Sequence, residues 1–190
     1  MFLPFLDRAI STALFYGGWC WCLNDAAHNH THYYGFWFVL FIVIYQIYRS
    51  NSRKADFLLV CFICLLGPLS DALYVQFGLI NYHHSFHSVI WLPPVWIFLL
   101  WALVAVNLPL FSWLNQRWVL AAVLGAFGGP LSYFSAIRLG SISLLKSLPL
   151  TLMILGSVWL ILFPCLLWLS DKFKQWFAAR HSERPLDVNE

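Results

Sequence analysis

Charge is scarce in this chain. Only 10% of its 190 residues are Asp, Glu, Lys or Arg, against about 25% in a soluble domain. Eight acidic and eleven basic side chains cannot give a globule of this size a polar surface. A soluble globular enzyme, a disordered tail and a nucleic-acid-binding module are all excluded on that ground. The net charge of +3 is too small to argue for polyanion binding. No cleavable leader is expected: residues 1–7 have no basic stretch, and no small-residue cleavage site follows the first apolar run. There is no Gly-rich phosphate loop, no nucleophile elbow and no Ser-His-Asp order. Apolar residues fill the space instead, at 61% of the chain with a mean hydropathy of +0.72. Eleven Trp, eight Tyr and 17 Phe suit a bilayer, because Trp and Tyr favour the headgroup region. The expected fold class is all-α, a polytopic transmembrane helical bundle.

Charges and loop residues divide the chain into six apolar stretches, near residues 9–24, 32–48, 57–80, 90–114, 118–139 and 148–169. A crossing helix needs about 20 apolar residues, so the first two stretches need their neutral flanks Trp19, Trp21, His32 and Tyr33 to reach the interface. Orientation follows from Lys and Arg. With the N-terminus inside, nine of the eleven fall on inner segments: Arg8, Arg49, Arg53, Lys54, Arg117, Lys172, Lys174, Arg180 and Arg184. Arg138 and Lys146 alone fall outside. Both termini are therefore expected in the cytoplasm, with a bundle over 1–170 and a cytoplasmic tail over 171–190. Phe173, Trp176 and Phe177 at i, i+3 and i+4, with Lys172, Lys174 and Arg180 around them, predict a short amphipathic interfacial helix ending before Pro185.

A short internal repeat is visible. Gly67-Pro68-Leu69-Ser70 recurs as Gly129-Pro130-Leu131-Ser132, and Gly78 and Ile80 recur at the same offset as Gly140 and Ile142. The third and fifth stretches cross in the same sense, so this would be a parallel repeat. The fourth and sixth stretches show no echo, and an apolar composition also repeats such residues by chance.

Asp71 is the one acidic residue inside a predicted span, about 14 residues or about 21 Å from its start. A carboxylate there must be paired, hydrated or protonated. Arg138, long enough to reach back toward the core, is the expected partner. The pair would be a structural tie, a proton or ion relay, or a polar anchor for a lipid headgroup. Ser70, Gln76, Ser132, Tyr133 and Ser135 are candidates to line a polar pocket with it, or to make ordinary interhelical hydrogen bonds. Pro68 and Pro130, the latter beside Gly128 and Gly129, predict kinked, close crossings.

Six of the seven histidines fall in two outer loops: His28, His30 and His32, then His83, His84 and His87. With Asp25, Cys20 and Cys22 nearby they are candidate ligands for zinc or copper. They meet no established ligand spacing, and His also simply populates interfaces. Cys61 and Cys64 sit in an apolar helix without basic neighbours, which argues against reactivity, and Cys165 reads as packing.

Several runs resemble a known family. They are Leu65-Leu66-Gly67 to Asp71, Gly78-Leu79, Trp91-Leu92-Pro93-Pro94-Val95-Trp96, Trp101-Ala102, and Leu124 to Tyr133 leading to Arg138-Leu139-Gly140. Over roughly residues 10–170 the chain is similar to the bacterial inner-membrane family known as domain of unknown function 2878. The resemblance implies a small multi-span protein of Gram-negative bacteria, often encoded near genes that modify phospholipid acyl chains. It singles out Asp71, Trp96, Trp101, Gly129, Pro130, Tyr133, Arg138 and Gly140, and leaves out the outer histidines.

The expected function is thus a lipid-related accessory protein of the bacterial inner membrane. It would bind or pass a lipid near Asp71 and Arg138, have membrane lipids as partners, and engage no nucleic acid. The alternatives are a membrane-embedded metal-dependent hydrolase using the outer histidines, and a structural subunit of a complex with a membrane-protein partner. One intramembrane acid and six spans under-equip a secondary transporter.

Overall fold

A computed structural model of the chain describes residues 2–28, 34–83 and 92–182. Within them the helices are α1 (Phe2–His28), α2 (Tyr34–Arg49), α3 (Arg53–Gln76), α4 (Val95–Asn107), α5 (Trp118–Leu139) and α6 (Leu148–Ser182). Pro109 lacks an amide hydrogen and crowds the preceding turn. The α4 geometry accordingly gives way to a 3-10 segment, Leu108–Leu114. Four helices are long and apolar enough to cross a membrane: α3, α4 with its 3-10 extension, α5 and α6. They correspond to the third to sixth apolar stretches, whereas α2 is shorter.

The outward faces carry the mark of an apolar surrounding. Leu65 is 68% exposed, Phe127 74% and Met153 71%. Such a surface in water would form one continuous sticky patch, but among acyl chains it costs nothing. The polar backbone groups are meanwhile satisfied inside the helices. Inside, α4 is the central post. It packs against α1, α2 and α3, and Ile97, Trp101, Leu103 and Val106 are buried. The α5–α6 hairpin closes the other side, with α6 against α3.

Helix α6 runs unbroken for 35 residues, about 52 Å, so the sixth apolar stretch and the amphipathic segment around Phe173, Trp176 and Phe177 form one continuous helix. The Phe173 ring lies 6.0 Å from that of Phe62 of α3, tilted by 45°, which holds the extension against the bundle. Arg184 and Pro185 lie outside the described residues.

The helical expectation holds, and one short ribbon joins the helices. Strands β1 (Ile80–Tyr82) and β2 (Ile142–Leu144) pair antiparallel, Ile80 with Leu144, Asn81 with Ser143 and Tyr82 with Ile142. Three-residue strands leave no periodicity to read; they exist because each finds the other. The ribbon also extends the internal repeat. Strand β1 follows α3 as β2 follows α5, and the register is the one a two-fold axis through the Asn81–Ser143 pair requires. The flanking bonds swap accordingly: His83 donates to the Ser141 carbonyl and Leu145 to the Leu79 carbonyl. Both helices end alike, with Leu79 N–H bonded to Tyr74 and Ser141 N–H to Ala136. Gly78 at φ 62° and Gly140 at φ 85° make the two left-handed exits.

The fourth and sixth helices do carry an echo, in their tryptophans. A Cβ on Gly67 would fall 2.1 Å from the Trp101 indole, and one on Gly129 2.2 Å from the Trp159 indole. The two indoles stack on each other, 5.5 Å apart and 7° from parallel. The Gly-Pro motifs of α3 and α5 thus form the outer walls of a four-layer stack at the centre of the bundle.

Candidate functional site

Helix α3 buries one stripe: Asp56, Leu59, Val60, Ile63, Gly67, Asp71 and Tyr74. Its spacing is helical, and it carries a carboxylate near each end. The two sit in opposite surroundings.

Asp71 is 1% exposed and lies five residues before the end of α3. Trp101 and Tyr133 lie six residues from the same ends of α4 and α5, so all three share one depth, about 8–9 Å below the ribbon. Tyr82 reaches down from β1. The Tyr82 and Tyr133 hydroxyls both donate to Asp71 Oδ1, and Trp101 Nε1 donates to Oδ2 at 2.6 Å. Three donors from three elements therefore hold the Asp71 carboxyl group, as buried polar groups require. Aromatic rings close the surround. Tyr74 meets Tyr133 edge-on at 5.8 Å, and Trp96 meets Tyr82 at 5.5 Å. Chemically this is a knot that ties α3, α4, α5 and the ribbon. Asp71 and Tyr133 stand at equivalent positions of the repeat, 62 residues apart.

Arg138 is not the partner of Asp71. It is exposed and makes no ion pair with Asp71, whose oxygens are taken by hydrogen-bond donors. Sequence spacing alone could not show that α5 turns Tyr133 inward, leaving Arg138 outward. The expected polar pocket also divides. Ser132 Oγ accepts from Trp19 Nε1 at 3.3 Å, tying α1 to α5. Ser70 donates to the Gly67 carbonyl at 2.7 Å and Ser135 to Leu131 at 2.9 Å, bonds within their own helices. Of the expected group, the structure brings together Asp71 and Tyr133. Tyr82 and Trp101 are the additions. Trp101 lay in the resembling runs, whereas Tyr82 had no signal, since only the ribbon carries it inward.

Of the candidate metal ligands, His28 closes α1 with Nδ1 3.0 Å from the Asn24 carbonyl, and His83 is exposed after β1. His30, His32, His84 and His87 lie outside the described residues. Asp25 Oδ2 accepts the Gly35 N–H, and Cys22 Sγ lies 3.8 Å from the Trp96 carbonyl. Among the described residues no three His, Cys, Asp or Glu side chains gather as a metal site.

At the opposite end, where α1, α2, α3 and α6 meet, is a cavity of about 330 Å³. Its charged lining is Asp7, Arg49, Asp56 and Lys174, with Gln46 and Asn51 among the polar groups. Arg49 Nη2 lies 2.9 Å from Asp7 Oδ1 in an exposed ion pair, and its Nη1 donates to the Tyr45 hydroxyl at 3.2 Å. The Asp7 hydrogen bond, then that to Tyr45, raises the Arg49 pKa above its ordinary value. Gln46 donates to Asn107 Oδ1 at 3.1 Å, and Asn107 donates to the Leu103 carbonyl at 2.7 Å. Asp56 differs from all of these. It is 8% exposed, and its Oδ1 has no hydrogen-bond partner among the described residues. Sequence reasoning began the third span at Phe57 and so passed over Asp56. The available signal was the helical stripe: continuing Leu59 and Val60 back by one turn lands on it.

No curated protein and no solved structure matches the chain. Its sequence matches a family profile over residues 8–165, most of its length, and includes both carboxylates. The chain belongs to the family described as protein of unknown function (DUF2878).

Proposed function

We propose that this protein is a lipid-related accessory protein of the bacterial inner membrane, holding a phospholipid headgroup at the cavity around Asp56. The observation that carries the reading is the buried Asp56 oxygen without a partner, in a cavity that also presents Arg49 and Lys174. Tyr74, Trp96, Thr151 and Trp159 also carry a buried polar atom without a partner among the described residues, but of these five Asp56 is the one that lines this cavity. The cavity lies at the ends of α2 and α3, where Arg49, Arg53 and Lys54 cluster, the expected depth of inner-leaflet headgroups. Asp71, the earlier focus of a lipid reading, has its oxygens engaged by Tyr82, Tyr133 and Trp101. The contact is therefore assigned to the other end of α3.

Native mass spectrometry of the full chain released from detergent tests this. The wild-type protein should retain phospholipid through mild activation, and Arg49→Gln combined with Lys174→Gln should lose it. Equal retention by both proteins would remove the assignment.

A further inference from the structure

The charges of the cavity say which headgroup it fits. Two carboxylates, Asp7 and Asp56, face two cations, Arg49 and Lys174. An anionic ligand would leave this balanced set with excess negative charge, and a simple cation with excess positive charge. A zwitterion leaves it neutral. The cations are not equivalent. Arg49 is committed to Asp7 and Tyr45, whereas Lys174 makes no ion pair among the described residues and reaches the cavity from the extension of α6. Asp56 is 8% exposed and lines the cavity, and its Oδ1 has no donor among the described residues. Val106, Pro109 and Leu110 supply an apolar wall beside the polar groups. At about 330 Å³ the space is at the small end for ligand sites, suited to a headgroup rather than to a whole lipid.

Building on the lipid reading above, we infer that the cavity selects a phospholipid whose headgroup carries a primary ammonium, of the phosphoethanolamine type. The ammonium donates to the Asp56 carboxylate, and Lys174, with Arg49, takes the phosphate. A primary ammonium has N–H donors to give. A quaternary ammonium has none, and it is normally held by a cage of aromatic faces. Tyr45 is the one aromatic side chain in the lining. The apolar wall accommodates the glycerol end of the lipid.

The test offers the delipidated full chain in detergent equal amounts of phosphatidylethanolamine, phosphatidylcholine and phosphatidylglycerol with matched acyl chains, read by native mass spectrometry. Phosphatidylethanolamine should be favoured over each of the others by about ten-fold, the worth of one charge-assisted hydrogen bond. Asp56→Asn should abolish the preference for phosphatidylethanolamine over phosphatidylcholine and, by leaving one positive charge unbalanced, move the order toward phosphatidylglycerol, while the protein stays folded by circular dichroism. Lys174→Gln should weaken all three and preserve their order. If the wild type takes ethanolamine and glycerol lipids equally, and Lys174→Gln still weakens both, the ammonium assignment is overturned and the lipid reading stands. If the wild type takes up no lipid, both fall. Displacement of the lipid by soluble phosphoethanolamine at equal concentration would overturn a lipid as the occupant in favour of a free aminophosphate.

Discussion

Helix α3 carries two buried carboxylates fifteen residues apart, about 22 Å along its axis, and their surroundings have nothing in common. Asp71 accepts from Tyr82, Tyr133 and Trp101; Asp56 Oδ1 accepts from nothing. One helix thus contrasts a carboxylate that ties three other elements together with a carboxylate whose Oδ1 has no partner among the described residues. Burial alone would have ranked them together, since both are more than nine-tenths buried. Counting donors separates them, because removing a buried acceptor orphans every donor aimed at it.

The largest expected effect tests the satisfied end. Asp71→Ala strands two hydroxyls and an indole N–H in an apolar core and should cost about 3–5 kcal/mol, read as a loss of thermal stability in detergent. Wild-type stability in that variant would erase the contrast. Next come the walls of the tryptophan stack. Gly67→Ala and Gly129→Ala each drive a methyl into an indole and should each cost about 1–3 kcal/mol, with a change in tryptophan emission. If only one of the two is costly, the repeat does not extend to packing. The smallest effect is expected for Arg138→Gln. An exposed arginine without an ion pair should change stability by no more than about 0.5 kcal/mol, whereas a tie to Asp71 would give several times that in the same melt. Asp56→Asn belongs beside it in stability and differs in lipid preference, which sharpens the comparison from the other side.

How much of this was legible depends on the range of the interaction concerned. The apolar stretches near 57–80, 118–139 and 148–169 could be read because hydropathy is a local sum, and the corresponding helices are α3, α5 and α6. The stretch near 90–114 was legible as apolar, but its division at Pro109 into α-helix and 3-10 segment is a backbone detail. Asp71 drew attention because a carboxylate inside an apolar run is conspicuous by itself. Its partner was misread because charge complementarity pointed to Arg138, while neutral donors 11, 30 and 62 residues away have no charge to announce them. Asp56 was missed for the reverse reason: beside Arg53 and Lys54 it resembled an ordinary solvated loop residue.

The repeat shows the same division. Gly67-Pro68 and Gly129-Pro130 were legible as motifs, yet Trp101 and Trp159 share no offset with them. Only their stacking at 5.5 Å reveals them as counterparts. What composition and hydropathy determined by themselves was the apolar surrounding and the long helices, while short local motifs carried the resemblance to the family; each rests on residues acting independently or with near neighbours. What the tertiary structure decided was which buried polar group is answered and which is not. That depends on donors brought together across the bundle, and hydrogen bonds are made between positions in space rather than positions in sequence.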